Sequence, residues 1–137
     1  MTVLTDTSIW VDFLKLGQRG AGAALSGLLR DRDILMCGQV AAELLAGTDP
    51  DHRDQLWTLL CGLPWVELRP HAWRRVGEVA GDLRAAGSTV PLTDVQIAVL
   101  VVEHNASLWS RDRHFDRIAG LPLELPRFEP PRPSPSS

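Results

Sequence analysis

Lysine is nearly missing from this chain. Of its 14 basic residues only Lys15 is a lysine, and every later cation is an arginine. A phosphotransfer receiver domain or an aspartyl-nucleophile phosphatase needs a late lysine to hold its phosphoryl group, so both classes are set aside. The phosphatase would also need a second Asp two residues after the first, where this chain reads Asp6-Thr7-Ser8. Neither G-x-G-x-x-G nor a Walker loop occurs, which removes the usual nucleotide cradles. There are 2 cysteines, Cys37 and Cys61. They form no CxxC and share no ligand spacing with His52, His71 or His104. Both read as small core residues in a reducing compartment. The longest apolar run, Ile97 to Val102, is too short to span a bilayer. Asp6 and Asp12 interrupt the first apolar stretch, so no signal segment is expected at its start. These absences predict a soluble cytoplasmic protein with no membrane partner. The net charge of −3 argues against binding nucleic acid through bulk positive charge.

What is present fits one domain: 137 residues with 45% hydrophobic content, enough for a core. Thr2 to Thr5 reads as a buried strand, followed by a helix over Ser8 to Leu16 that Gly17 ends. A second helix is predicted over Gly20 to Arg32, then a strand over Ile34 to Cys37. Helices follow over Gln39 to Ala46 and Asp51 to Cys61, with a strand candidate at Val66 to Leu68. A long helix over His71 to Ala86 stops at Gly87. Thr93-Asp94-Val95-Gln96 has the pattern of a capping box, with Thr93 as N-cap and Gln96 reaching back. The helix it opens is apolar all round from Ile97 to Val102, which predicts a central position. A strand at Ser107 to Trp109, a short helix at Arg113 to Ala119 and an edge strand at Leu121 to Leu125 complete the reading. From Pro126 onward, five prolines and three serines in twelve residues predict a tail with little fixed structure. The domain is therefore placed at residues 1–125 and the tail at 126–137. Strands alternating with helices predict an α/β fold with a mostly parallel sheet.

Carboxylates stand where these elements begin or end. Asp6 closes the first strand, Glu43 rides the third helix, Asp94 opens the central helix, and Asp112 follows the Ser107–Trp109 strand with Asp116 behind it. Ligands of such sheets bind outside the carboxyl ends of the strands, where Asp6 and Asp112 fall. If the acids meet, something must neutralise them. A hard divalent cation does so, because Mg²⁺ and Mn²⁺ prefer carboxylate oxygen. Such sites perform phosphoryl chemistry.

The ordered set Thr5-Asp6-Thr7-Ser8, Glu43, Leu92-Thr93-Asp94-Val95-Gln96-Ile97-Ala98 and Ser110-Arg111-Asp112-Arg113-His114-Phe115-Asp116 resembles the PIN domains, specifically the VapC class of bacterial toxin ribonucleases. The resemblance covers about residues 1 to 125. It implies a three-layer α/β/α sandwich around a central parallel sheet. It also implies metal-assisted hydrolysis of an RNA phosphodiester, with no covalent protein intermediate. It assigns the catalytic and metal-binding acids to Asp6, Glu43, Asp94 and Asp112, with Asp116 as an additional metal acid and Mg²⁺ or Mn²⁺ as cofactor. Ser8 is the implied hydroxyl partner of the first Asp. Ser110 stands where the late motif usually has Thr, which keeps the hydroxyl. The implied partners are an RNA substrate, a cognate antitoxin protein and a second copy in a homodimer.

Taken singly, each acid has a plainer reading. Asp6 suits a helix N-cap, Asp94 suits the positive end of a helix dipole, and Glu43 suits a solvated helix face. Asp112 and Asp116 suit surface pairs with Arg111, Arg113 and Arg117, which contribute little. Arg111 and Arg113 equally suit contact with RNA phosphates. His114, next to Phe115, reads as a surface histidine, with contact to substrate as the alternative. Trp10, Phe13 and Leu14 read as core or as part of a groove for an antitoxin helix. Trp57, Trp65 and Trp73 read as a packed group. The alternative of another class is a non-catalytic RNA- or protein-binding module on the same fold.

Overall fold

The computed structural model describes residues 2–16, 22–119 and 123–130. The expected helix stop at Gly17, the helix start at Gly20 and the first residues of the edge strand at Leu121 lie outside the described residues, as do positions 131–137 of the tail. Among the described residues the elements run β1 (Val3–Thr5), α1 (Thr7–Leu16), α2 (Gly22–Arg30), β2 (Ile34–Leu35), α3 (Gly38–Ala46), α4 (Pro50–Cys61), α5 (Pro70–Ala85), α6 (Leu92–Glu103), β3 (Ser107–Trp109) and α7 (His114–Ala119).

The sheet has the order β2-β1-β3, and both pairings are parallel. Val3 aligns with Ile34 on one side and Ser107 on the other. Successive strand residues point to opposite faces. Val3, Leu4 and Thr5 are all buried, so both faces of the central strand are covered, as parallel sheets require. The expected α/β architecture is present, with short strands and long helices.

Helix boundaries follow local chemistry. Pro50 and Pro70 sit in the first turns of α4 and α5, where a missing N–H costs nothing. In α5 the buried Ala72, Val76, Val79 and Leu83 recur at helical spacing and form the face turned to the core. Beyond it Gly87 has φ 79°, a left-handed turn that glycine adopts without a Cβ clash. The Ser88 N–H then closes on the Leu83 carbonyl at 2.9 Å. Helix α6 buries Val95 and all of Ile97 to Val101, as its all-round apolar sequence predicts, and packs against α5, α7 and β3.

Several expectations need correction. The capping box at Thr93 does not form. Pro91 is the N-cap and no side chain caps the helix; the Pro91 carbonyl accepts the Asp94 N–H at 3.0 Å. Helix α6 thus starts before Thr93, and the Gln96 amide meets Gln39 at 3.0 Å instead of reaching back. Val66 to Leu68 forms no strand. Only a single parallel bridge joins Met36 and Trp65, because Met36 spends its N–H on the Pro64 carbonyl and its own carbonyl on the Val66 N–H. Cys37 is buried as expected, whereas Cys61, at the end of α4, is exposed. Trp57 and Trp65 pack edge to face at 5.7 Å, while Trp73 stands exposed on α5. No helix among the described residues is long and apolar enough to cross a membrane.

The sheet does not end at β3. The Leu108 N–H donates to the Pro126 carbonyl at 2.8 Å, and the Phe128 N–H to the Leu108 carbonyl at 2.7 Å. Arg127 thereby pairs in parallel with Leu108. Leu123 and Leu125 are buried, and the Phe128 ring lies 5.1 Å from that of Trp109. Edge pairing therefore falls later than the predicted Leu121–Leu125 strand, and ordered chain runs past residue 125. Pro126 has no N–H to give, but its carbonyl is free to accept.

Candidate active site

Parallel strands deliver their carboxyl ends to one edge of the sheet, and Asp6 is the residue that follows β1. Its N–H donates to the Trp109 carbonyl at 3.1 Å, which ties the ends of β1 and β3 together. The Asp6 side chain is 7% exposed, and both its oxygens have hydroxyl donors. Ser8 Oγ donates to Oδ1 at 2.7 Å, and Ser110 Oγ donates to Oδ2 in a short contact. Ser110 Oγ also accepts the Asp112 N–H at 3.0 Å. One hydroxyl thus couples the first aspartate to the backbone of the last.

Asp112 lies in the loop between β3 and α7. Its Oδ1 accepts the His114 N–H at 2.9 Å, a local turn that aspartate favours. The His114 ring then reaches Asp94, with Nδ1 2.9 Å from Oδ2. The same nitrogen is 3.2 Å from Asp112 Oδ1. Asp94 occupies the first turn of α6, where the helix dipole favours an anion. Glu43 projects from α3 and accepts a hydrogen bond from Thr7 Oγ1 at 2.9 Å.

Burial raises the Asp94 pKa above the ordinary carboxylate value, opposed by its hydrogen bond to His114. The charges of Asp112 and Glu43 push it further up. The charges of Asp112 and Glu43, on two other segments, thus act on Asp94, and one imidazole lies between Asp94 and Asp112. Among the described residues, Asp94, Asp112 and His114 place ligand atoms within 4.8 Å of one another. This donor set fits a hard divalent cation, since its acids offer oxygen and their mutual repulsion is only partly relieved. Imidazole is a poor ligand for Mg²⁺, so His114 would not be part of its shell.

Of the residues singled out in the sequence, Asp6, Ser8, Ser110 and Asp112 form one hydrogen-bonded group, and Asp94 joins it through His114. Glu43 stands within electrostatic reach of Asp94. Asp116 does not join them. Its Oδ1 accepts from Arg127 Nη1 at 2.9 Å, and its side chain is 68% exposed. Arg111 forms an ion pair with Asp12 of α1, and Arg113 is exposed. The sequence reading missed Thr7, His114 and Arg127. The Asp-x-His spacing at Asp112 was the available signal for His114. Nothing in a proline-rich stretch marks Arg127.

Residues 3–121 match the family model described as the PIN domain. VapC ribonuclease Mb1587 from Mycobacterium bovis is 33% identical over 124 residues, covering 87% of this chain and 92% of that protein. Ribonuclease VapC11 from Mycobacterium tuberculosis matches with the same identity and coverage. Among solved structures, VapBC2 from Rickettsia felis, bound to a DNA fragment from its promoter, aligns with a TM-score of 0.72 at 22% identity, covering 94% of this chain and 100% of that one. VapBC-1 from nontypeable Haemophilus influenzae aligns with a TM-score of 0.71 at 20% identity, covering 88% and 95% of the two chains. By the family model, by sequence identity and by fold, this chain belongs to the PIN-domain family and, within it, to the VapC ribonucleases.

Proposed function

We propose that this protein is a Mg²⁺- or Mn²⁺-dependent endoribonuclease and the toxin of a toxin–antitoxin pair. The observation that carries the reading is the approach of Asp94 and Asp112 around His114, with ligand atoms within 4.8 Å of one another; burial first, and then the charges of Asp112 and Glu43, raise the Asp94 pKa. Asp6, Glu43, Asp94 and Asp112 would hold the metal, which when bound acts as a Lewis acid and makes water a better nucleophile. Ser8 and Ser110 orient the Asp6 carboxylate. Attack of water on phosphorus and cleavage of the P–O bond require no protein nucleophile. Arg113, exposed beside Asp112, is assigned to an RNA phosphate, and Arg111 to the same role once released from Asp12.

The relatives' names support the ribonuclease reading, and the solved VapBC assemblies support an antitoxin partner. An open groove of about 380 Å³ is lined by Val11, Leu14 and Leu44 together with the charged Lys15, Glu43 and Asp49. An amphipathic antitoxin helix suits such a surface. Of the α1 residues considered for it, Trp10 is fully buried and Leu14 is 46% exposed. We assign a homodimer and a cytoplasmic location on the same family grounds.

The test is cleavage of total bacterial RNA by antitoxin-free protein with Mg²⁺, with Mn²⁺ and with EDTA, beside Asp94→Asn. Discrete metal-dependent fragments absent from the variant support the reading. No cleavage by folded, partner-free protein overturns it in favour of a binding module.

A further inference from the structure

Arg127 lies outside the stretch that the family pattern covers, yet its guanidinium touches the acid site's frame at two places. Nη1 donates to Asp116 Oδ1 at 2.9 Å, and Nη2 donates to the Ser110 carbonyl at 3.2 Å. Ser110 and Asp116 are the two ends of the segment 110–116, which carries Asp112 and His114. Ser110 holds Asp6 through its hydroxyl and the Asp112 N–H through the same oxygen. Asp116 belongs to the first turn of α7.

The guanidinium is itself anchored. Its backbone pairs with Leu108 at the sheet edge, and the neighbouring Phe128 packs on Trp109. The Arg127 side chain is 28% exposed, so its position is set by packing as well as by hydrogen bonds. An isolated, exposed ion pair with Asp116 would contribute little. A planar fork that spans two acceptors on one loop does something different, because it fixes their separation. Lysine carries its donors on a single nitrogen and lacks the rigid two-nitrogen fork, so it does not hold the two acceptors at this separation.

We propose that Arg127 is a positioning residue of the acid site, clamping both ends of the 110–116 segment and so fixing Asp112. It acts through Ser110 and Asp116 and touches neither substrate nor metal. The proposal rests on the metal-nuclease reading for its consequence in catalysis, but not for the clamp itself.

The test compares the full chain with Arg127→Ala and Arg127→Lys. In metal-free protein, amide hydrogen exchange at Asp112 and His114 is expected to be about tenfold faster in both variants, with core amides such as that of Leu100 unchanged. Mn²⁺ affinity, measured by calorimetry without RNA, is expected to weaken about tenfold. The kcat for RNA cleavage is expected to fall about tenfold, with KM changed less than about twofold. If Arg127→Ala does not fold, Arg127→Lys, which keeps stem and charge, carries the test. Parental exchange rates at Asp112 in a folded variant overturn the clamp, as does full rescue by lysine. A parent that neither binds Mn²⁺ nor cleaves RNA overturns the nuclease reading instead, and the exchange rates still decide the clamp.

Discussion

The Nδ1 atom of His114 lies 2.9 Å from Asp94 Oδ2 and 3.2 Å from Asp112 Oδ1, so a single imidazole links acids from helix α6 and from the loop after β3. Removing it leaves the two carboxylates facing each other. His114→Ala is expected to destabilise metal-free protein by about 1 kcal/mol, the net worth of an ordinary hydrogen bond. With saturating Mg²⁺ the loss should shrink, because the cation relieves the same repulsion. Urea melts in EDTA and in Mg²⁺ measure both. An equal loss in the two conditions would show that His114 and the metal do not share this task.

Asp94→Asn removes an anionic oxygen while keeping size and most hydrogen bonding. Cleavage of RNA is expected to fall at least about a hundredfold, since even groups behind metal ligands cost 10–100-fold. The circular dichroism spectrum should match that of the parent. A variant that cleaves at the parental rate would displace Asp94 from the proposed chemistry.

The raised Asp94 pKa has a definite sign in stability. Its folded value lies above the ordinary 3.8, so on raising the pH the unfolded chain releases this proton first. The stability contribution is fully present below the ordinary value and is lost as pH rises through the raised folded one. Metal-free Asp94→Asn should therefore show a flatter stability profile over that interval and be the more stable protein above it. Denaturant melts across pH in EDTA give the comparison. A variant that is less stable than the parent at neutral pH would contradict it.

The acids at element ends were legible because strand and helix periodicity located those ends, and parallel strands share one carboxyl edge. Asp6 is the plainest case: three apolar or neutral residues fit a strand, and the next residue must emerge at its end. The Thr93 capping pattern misled because Pro91, two residues earlier, had already turned the chain into the helix. His114 looked like a surface residue because sequence spacing gives no χ angle. Arg127 was hidden because composition describes a stretch on average, and a proline-rich stretch still offers carbonyls to a neighbouring strand. The groups that orient the acids were harder to read than the acids, since they depend on contacts distant in sequence, such as Thr7 with Glu43.

Ser110 tests how much that orientation matters. Its hydroxyl donates to Asp6 and accepts from the Asp112 backbone, so Ser110→Ala deprives a buried carboxylate and a loop N–H of partners at once. Ser110→Thr keeps the hydroxyl. RNA cleavage by Ser110→Ala is expected to fall about tenfold or more, and Ser110→Thr is expected to retain most activity. Stability separates orientation from simple folding loss. Leaving a buried acceptor unsatisfied costs about 1–3 kcal/mol, and Mg²⁺ should recover part of that only if the Asp6 carboxylate still reaches the metal. Melting midpoints of the alanine variant with and without Mg²⁺ therefore report on Asp6 directly. A threonine variant as inactive as alanine would mean that side-chain shape at this turn, and not the hydroxyl, holds the site together.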